Sequence, residues 1–196
     1  MRSAFLIVYA LLVSCIAAGE AQAQEDTNPA EGEIMLTDES VQLTYSAAGN
    51  AFDVENSELR IGGFLNEQRD IVGSAAFLVE ATRLRYNRFD VSLGPKAYAS
   101  LLGDADEDIF AIAVGGEMRF ELLRRSNVDL VARGWYAPDI LTFGTGDRMY
   151  DVSGHLELPL TDSVTGLAGY RYFKVNGLTD DTVLENSVFL GFRRAL

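Results

Sequence analysis

Cysteine is all but missing from this 196-residue chain: the one copy, Cys15, sits in the apolar N-terminal stretch. A disulfide framework is thereby excluded, and so is a cysteine-built metal centre. Histidine is equally sparse, with His155 the only copy, which removes clusters of imidazole ligands. Positive charge is also short. Against 29 acids stand 16 lysines and arginines, a formal net charge of −13. A surface of that sign repels phosphate backbones and excludes a nucleic-acid partner. Past the N-terminal stretch, no segment approaches the ~20 consecutive apolar residues of a membrane helix. Any passage through a membrane has to be made by strands.

The N-terminal stretch reads as an export signal. Arg2 supplies its positive charge, residues 4–16 its apolar run, and Ala21-Gln22-Ala23 the small-x-small motif at which such signals are cut. Cleavage after Ala23 removes Cys15 and one residue of each charge, Arg2 and Glu20, so the net −13 is unchanged. A second reading competes. Leu12-Val13-Ser14-Cys15 fits a lipoprotein box, in which Cys15 is lipidated and anchors a soluble β-domain. The organisation expected is a signal peptide over 1–23, a periplasmic, flexible leader over 24–56 and a β-barrel domain over 57–196. Residues 24–39 are acidic and polar, with Pro29 and Gly32.

What is abundant is alternation. Over 109–122, Phe110, Ile112, Val114, Met118, Phe120 and Leu122 fall on one side, with Ala111, Ala113, Gly115, Glu117, Arg119 and Glu121 on the other. Residues 150–160 and 89–101 repeat the pattern, and 58–66, 71–80, 128–137, 164–175 and 187–196 follow it. Such segments, parted by turn residues, mark a transmembrane barrel whose strands show one face to lipid and one to the interior. The fold expected is therefore all-β: an antiparallel up-and-down barrel of about eight strands. A run at 41–45 stands outside that count, and including it leads to ten. Connectors at 103–108, 138–148 and 176–185 read as long loops at one end, with 67–70 beside them. Tight turns at 124–127 and 161–163 lie at the other end, with both termini. A soluble sandwich also alternates, but its polar faces would not carry charge of both signs opposite faces rich in Phe and Tyr.

The inward positions on this assignment are Glu58, Arg60, Glu80, Asp90, Lys96, Glu117, Arg119, Glu121, Asp129, Arg133, Asp151, His155, Glu157, Arg171 and Arg193. An isolated buried charge costs several kcal/mol, so charges this crowded must pair. A paired interior is a plug. The expectation is a structural or porin-like barrel with a narrow, charge-plugged lumen and no catalysis, with the network centred on Glu117, Arg119, Glu121, Asp129, Arg133, Asp151, His155, Glu157 and Arg171.

Three constellations compete with that reading. Ser153, His155 and Glu157 hold the parts of a nucleophilic triad and resemble the serine–histidine–acid site of outer-membrane lipid A deacylases, which makes a lipid-modifying enzyme the alternative function. They share the polar face, however, and same-face neighbours on a strand stand ~6.6–7 Å apart. Asp104, Asp106 and Asp108 open like a calcium loop, but Ile109 and Gly115 stand where that loop needs Gly and Glu. Gly144-Thr145-Gly146 lacks the lysine of a phosphate loop. No cofactor or metal is expected.

The stretches Gly134-Trp135-Tyr136-Ala137-Pro138-Asp139 and Ala168-Gly169-Tyr170-Arg171-Tyr172, with Lys96-Ala97 in the segment before, resemble the YfaZ family of predicted outer-membrane proteins over residues 71–192. That resemblance implies an outer-membrane barrel with a porin-like label at most, and no catalytic residue. Outer-membrane lipid and lipopolysaccharide, the barrel assembly machinery and small solutes or ions are the partners it implies. The chain departs from the family in ending on Leu196 rather than on an aromatic residue.

Overall fold

The computed structural model describes residues 30–49, 54–83, 89–102, 107–123, 127–177 and 181–196. The expected signal, Cys15, Asp104 and Asp106 lie outside them. Among the described residues eleven strands form: β1 (Glu31–Leu36), β2 (Ser40–Gly49), β3 (Ser57–Asn66), β4 (Ile71–Arg83), β5 (Phe89–Leu102), β6 (Glu107–Leu123), β7 (Val128–Ala137), β8 (Thr142–Gly144), β9 (Gly146–Pro159), β10 (Val164–Gly177) and β11 (Asp181–Ala195). Every pairing is antiparallel, and β5 pairs with β6. The sheet thus closes on itself, with β1 fitted between β2 and β11. No helix among the described residues is long and apolar enough to cross a membrane.

The wall holds ten strands plus the short β8, where about eight were expected. The two extra strands are β1 and β2, drawn from the segment read as a leader. The barrel therefore begins at Glu31, not after residue 56, and the run at 41–45 belongs to its wall. An even count keeps both termini at one end, where Glu31 pairs with Ala195. The connectors expected to be long loops are also corrected. Strand pairing reaches Leu102 and Glu107 on one hairpin and Asn176 and Asp181 on another, because inter-strand hydrogen bonds keep satisfying the backbone.

Residues 138–148 do not form one loop. Pro138 has no N–H to donate, and a 3-10 turn at Asp139–Leu141 interrupts the wall there. Its carbonyl accepts hydrogen bonds from Leu141 N (2.9 Å) and Thr142 Oγ1 (3.0 Å). The chain then resumes as β8 along β6, where Ile109 faces Gly144. Gly144, at φ +91°, turns the chain into β9, and a side chain there would strike the Asp108 carbonyl. Asp108 itself lies in β6, paired with Leu101.

The faces follow the sequence alternation. Val188 and Leu190, at 73% and 68% exposure, crown an outward belt that includes Ile61, Leu93, Val114, Met118 and Val152. Aromatic pairs stand on that side at two levels. Phe89 lies 4.6 Å from Phe120 towards the termini end, and Tyr136 lies 5.1 Å from Tyr150 towards the other. Inside, the half remote from the termini is apolar, packed with Phe64, Val72, Trp135, Met149, Phe173 and Val175.

The β10–β11 hairpin bends at a bulge between Phe173 and Lys174, as bulges do, and reaches the lower rim formed by β1–β3. There Glu185 accepts hydrogen bonds from Ser40, Ser187 and Thr37. Asn66 Nδ2 donates to the Leu184 carbonyl at 3.3 Å. These bonds tie β11 to the opposite wall at the remote end.

Candidate functional site

In the half of the barrel nearer the termini, inward charges form a closed ring of alternating sign. Glu117 Oε2 accepts from Arg133 Nε at 2.7 Å. Arg133 turns its other two nitrogens to Glu33, at 2.9 and 3.2 Å. Glu33 Oε2 also accepts from Arg193, at 2.9 and 3.1 Å. Arg193 grips both oxygens of Glu157, at 2.6 and 3.1 Å. Glu157 takes Arg119 Nη1 at 2.6 Å, and Arg119 Nη2 returns to Glu117 at 3.4 Å. Three glutamates and three arginines from β1, β6, β7, β9 and β11 thus neutralise one another around the interior. Arg60 adds a spur, binding Glu117 at 2.9 Å and both oxygens of Glu58 at 2.9 Å. Asp129 joins through Arg119 at 3.4 Å.

Local pairing explains why these residues meet. Cross-strand register sets Glu117 opposite Arg133, and Asp129 opposite Glu157. Facing residues on neighbouring strands lie within side-chain reach. Glu33 comes to the ring because β1 closes the wall.

A second cluster lies deeper. Asp151 Oδ1 and Oδ2 accept from Arg171 at 2.9 and 3.1 Å, Lys96 reaches Asp151 at 3.2 Å, and the Tyr98 hydroxyl donates at 2.7 Å. Arg171 also donates to Gln42. The guanidinium carbon of Arg171 lies 5.2 Å from the Phe64 ring and 4.7 Å from that of Phe173. Lys96 Nζ stands 4.5 Å from the Tyr98 ring and 5.4 Å from that of Trp135. Both cations sit on aromatic faces, where ring quadrupoles attract them. The interior is therefore stratified: ionic ring, cation–aromatic belt, apolar layer.

Of the residues singled out by sequence, the structure brings Glu117, Arg119, Asp129, Arg133 and Glu157 into the ring assembly and Asp151 and Arg171 into the deeper cluster. Glu121 pairs with Asp129 in register on the termini side, outside the ring. Asp90 is exposed. The reading missed Glu33, which holds two of the three ring arginines, and Gln42 and Tyr98 on the deeper cluster. The signal for Glu33 was present. Glu31, Glu33 and Met35 alternate with Gly32, Ile34 and Leu36, a strand pattern only six residues long.

The Ser153–His155–Glu157 trio is inward and split. His155 is 2% exposed and its Nε2 lies 3.3 Å from Glu157 Oε1, while Nδ1 has no hydrogen-bond partner among the described residues. The His155 ring lies 5.8 Å from that of Phe189, the two meeting across Gly169, which pairs with both residues. Glu157 is occupied by Arg119 and Arg193. Among the described residues, no group of three or more side chains is placed to hold a metal.

Among the described residues, two cavities lie inside the barrel. One, of about 100 Å³, is lined by ring residues with Glu31, Glu58 and Arg60, on the termini side. The other, about 30 Å³, lies between the ring and the aromatic belt. A water needs roughly 10–15 Å³ of such space. The inner one is thus large enough for two or three waters at most.

A family model described as YfaZ precursor matches residues 37–195 of the chain, from the β1–β2 turn to the last residue of β11. No curated protein and no solved structure matches it.

Proposed function

We propose that this chain, which belongs to the YfaZ family, is an outer-membrane β-barrel that serves envelope structure or surface interaction, closed to the diffusion of solutes and without catalysis. The observation that carries this reading is the polarity of the wall. Large apolar residues such as Leu93, Val114, Met118, Val188 and Leu190 face outward, while ring-paired charges and a polar Asp151 cluster face inward. A water-soluble barrel gains its stability by the reverse arrangement. Lipid replaces water as the outer solvent here, and barrels are suited to it because closure leaves no unpaired strand edge. Most wall strands run to ten residues or more, which meets the ~9–11 that a tilted membrane strand requires.

The ring supports the closed state. Large porins keep a water-filled interior, whereas this interior is crossed by mutually bonded side chains and backed by an apolar layer. The inward, ion-paired setting of His155 and Glu157 supports the non-catalytic reading, since an acyl chain in the bilayer meets only the opposite face. The termini end faces the periplasm on this reading, and the remote end faces outward.

Fractionation tests the placement. The mature chain should sediment with outer membranes and migrate faster on SDS gels before boiling than after, as folded barrels do. Recovery in the soluble periplasmic fraction would contradict the reading.

A further inference from the structure

Among the described residues, the wall has an open seam at the remote end. β10 pairs with β11 from Arg194 to Asp181, whereas β1 pairs with it only from Ala195 to Leu190 and then turns away into β2. Above Leu190, β11 has a strand on one side alone. Strand amides point alternately to the two sides. Leu196 N donates to the Ala30 carbonyl ahead of β1, and Ala195 N to that of Ser163 ahead of β10, so even-numbered residues of β11 face the β1 side. The backbone N–H and C=O of Val188 and Asn186 therefore face no strand. The Leu184 carbonyl is met by a side chain in place of a strand, Asn66 Nδ2 at 3.3 Å. Exposure agrees: Val188 is 73% exposed, against 50% for Val152 on β9, which is flanked on both sides. The outward face turns polar at this level, with Asn186 bonded to the Tyr170 hydroxyl and Lys174 paired with Asp181. The seam thus opens where the apolar belt ends.

We propose that this edge takes an extended basic segment of another polypeptide, added as a further strand above β1. Charge around the seam sets the sign of the partner. The β1–β2 turn below it carries Asp38 and Glu39, and Glu67 N of the next turn donates to the Glu39 carbonyl at 2.9 Å. All three acids are exposed, with Arg69 the base beside them. Such a rim repels lipopolysaccharide phosphates and draws lysine and arginine. The faces set the pattern. Val183 and Val188 flank the seam on the outward side, and the acidic turns lie below, so a segment alternating apolar and basic residues fits. A second copy does not. Two barrels inserted the same way and related by an axis along the membrane normal bring their tilted β11 strands together crossed, not paired. The proposal rests on the outer-membrane reading in taking the remote end as the outer one, and it names the class of partner for surface interaction.

The probe is a labelled peptide of Lys-Val repeats, titrated against the mature protein in neutral detergent micelles and read by fluorescence anisotropy. Two controls separate strand pairing from charge: the same peptide N-methylated at every backbone amide, and a Glu-Val peptide. The Lys-Val peptide should bind saturably, its methylated form about tenfold more weakly for the lost backbone hydrogen bonds, and the Glu-Val peptide not at all. Val188→Pro removes an edge N–H that β10 does not use, and edges tolerate proline; it should weaken the Lys-Val peptide to the level of the methylated one. Equal binding of plain and methylated peptides, equal binding of the Glu-Val peptide, no binding, or wild-type affinity in folded Val188→Pro would each overturn the proposal. Dimers that the peptide dissociates would make a second copy the occupant and overturn it too. Should Val188→Pro not fold, the methylated peptide decides alone. Binding in micelles is indifferent to location, so its failure is distinct from a failure of the fractionation test.

Discussion

Replacing Glu33 with alanine removes four hydrogen bonds at once, two from Arg133 and two from Arg193. Stranding a buried charge by deleting its partner costs about 3–5 kcal/mol. Here neither arginine is stranded: Arg133 keeps Glu117, and Arg193 keeps Glu157 and, at 3.6 Å, Glu31. The loss should therefore fall somewhat below that range, at about 2–3 kcal/mol. With a urea slope of about 1–3 kcal/mol per molar, the unfolding midpoint should drop by roughly 1 M or more. Glu31 provides the control. It lies on the same strand and inward face but nearer the rim, 3.6 Å from Arg193 and 41% exposed, and exposed pairs contribute about 0–1 kcal/mol. Urea unfolding in micelles, read by Trp135 fluorescence, compares Glu33→Ala, Glu31→Gln and wild type. A Glu33→Ala midpoint no lower than that of Glu31→Gln would refute the ring, and with it the place of β1 in the wall.

Other variants probe the faces and the packing. Met118, 46% exposed at mid-strand on the outer side, should lose about 2–4 kcal/mol of stability in bilayers on Met118→Arg, measured by refolding into lipid vesicles; assembly equal to wild type would mean that every face is inverted. Gly169→Ala drives a methyl into His155 and the Gly154 carbonyl and should cost about 1–3 kcal/mol in the same urea assay. Ser153→Ala and His155→Ala should leave the lipid A acylation pattern unchanged by mass spectrometry, and loss of a deacylated species in either would promote the enzyme reading.

How much of this was legible in the chain depended on periodicity. A strand with one face to an apolar exterior alternates strictly, so β6 and β9 declared both their faces, and Glu117, Arg119, Asp151 and Glu157 could be placed inward from spacing alone. Glu33 could not. Its strand is six residues long, and its neighbours Glu31 and Gly32 with the acidic run before them look like a solvated leader. Only closure requires it, because β2 and β11 would otherwise present open edges. Pro138 misled in the opposite way, since a proline and an aspartate after a strand signal a loop, whereas β6 extends far enough for β8 to resume pairing beyond the break. The division of the interior into ring, belt and apolar layer was not readable at all. Pairs such as Glu33 with Arg133, or Lys96 with Asp151, lie on strands far apart in sequence, and no local pattern records which of several inward charges will touch.

The central claim, a barrel closed by its own ion pairs, is tested most directly by conductance across planar bilayers with wild type and Arg133→Ala side by side. Arg133 joins Glu33 to Glu117, so its loss opens the ring at one point. The account predicts no stable channel for wild type and a measurable rise in ion leak for the variant. Large, long-lived wild-type channels that Arg133→Ala leaves unchanged would contradict it.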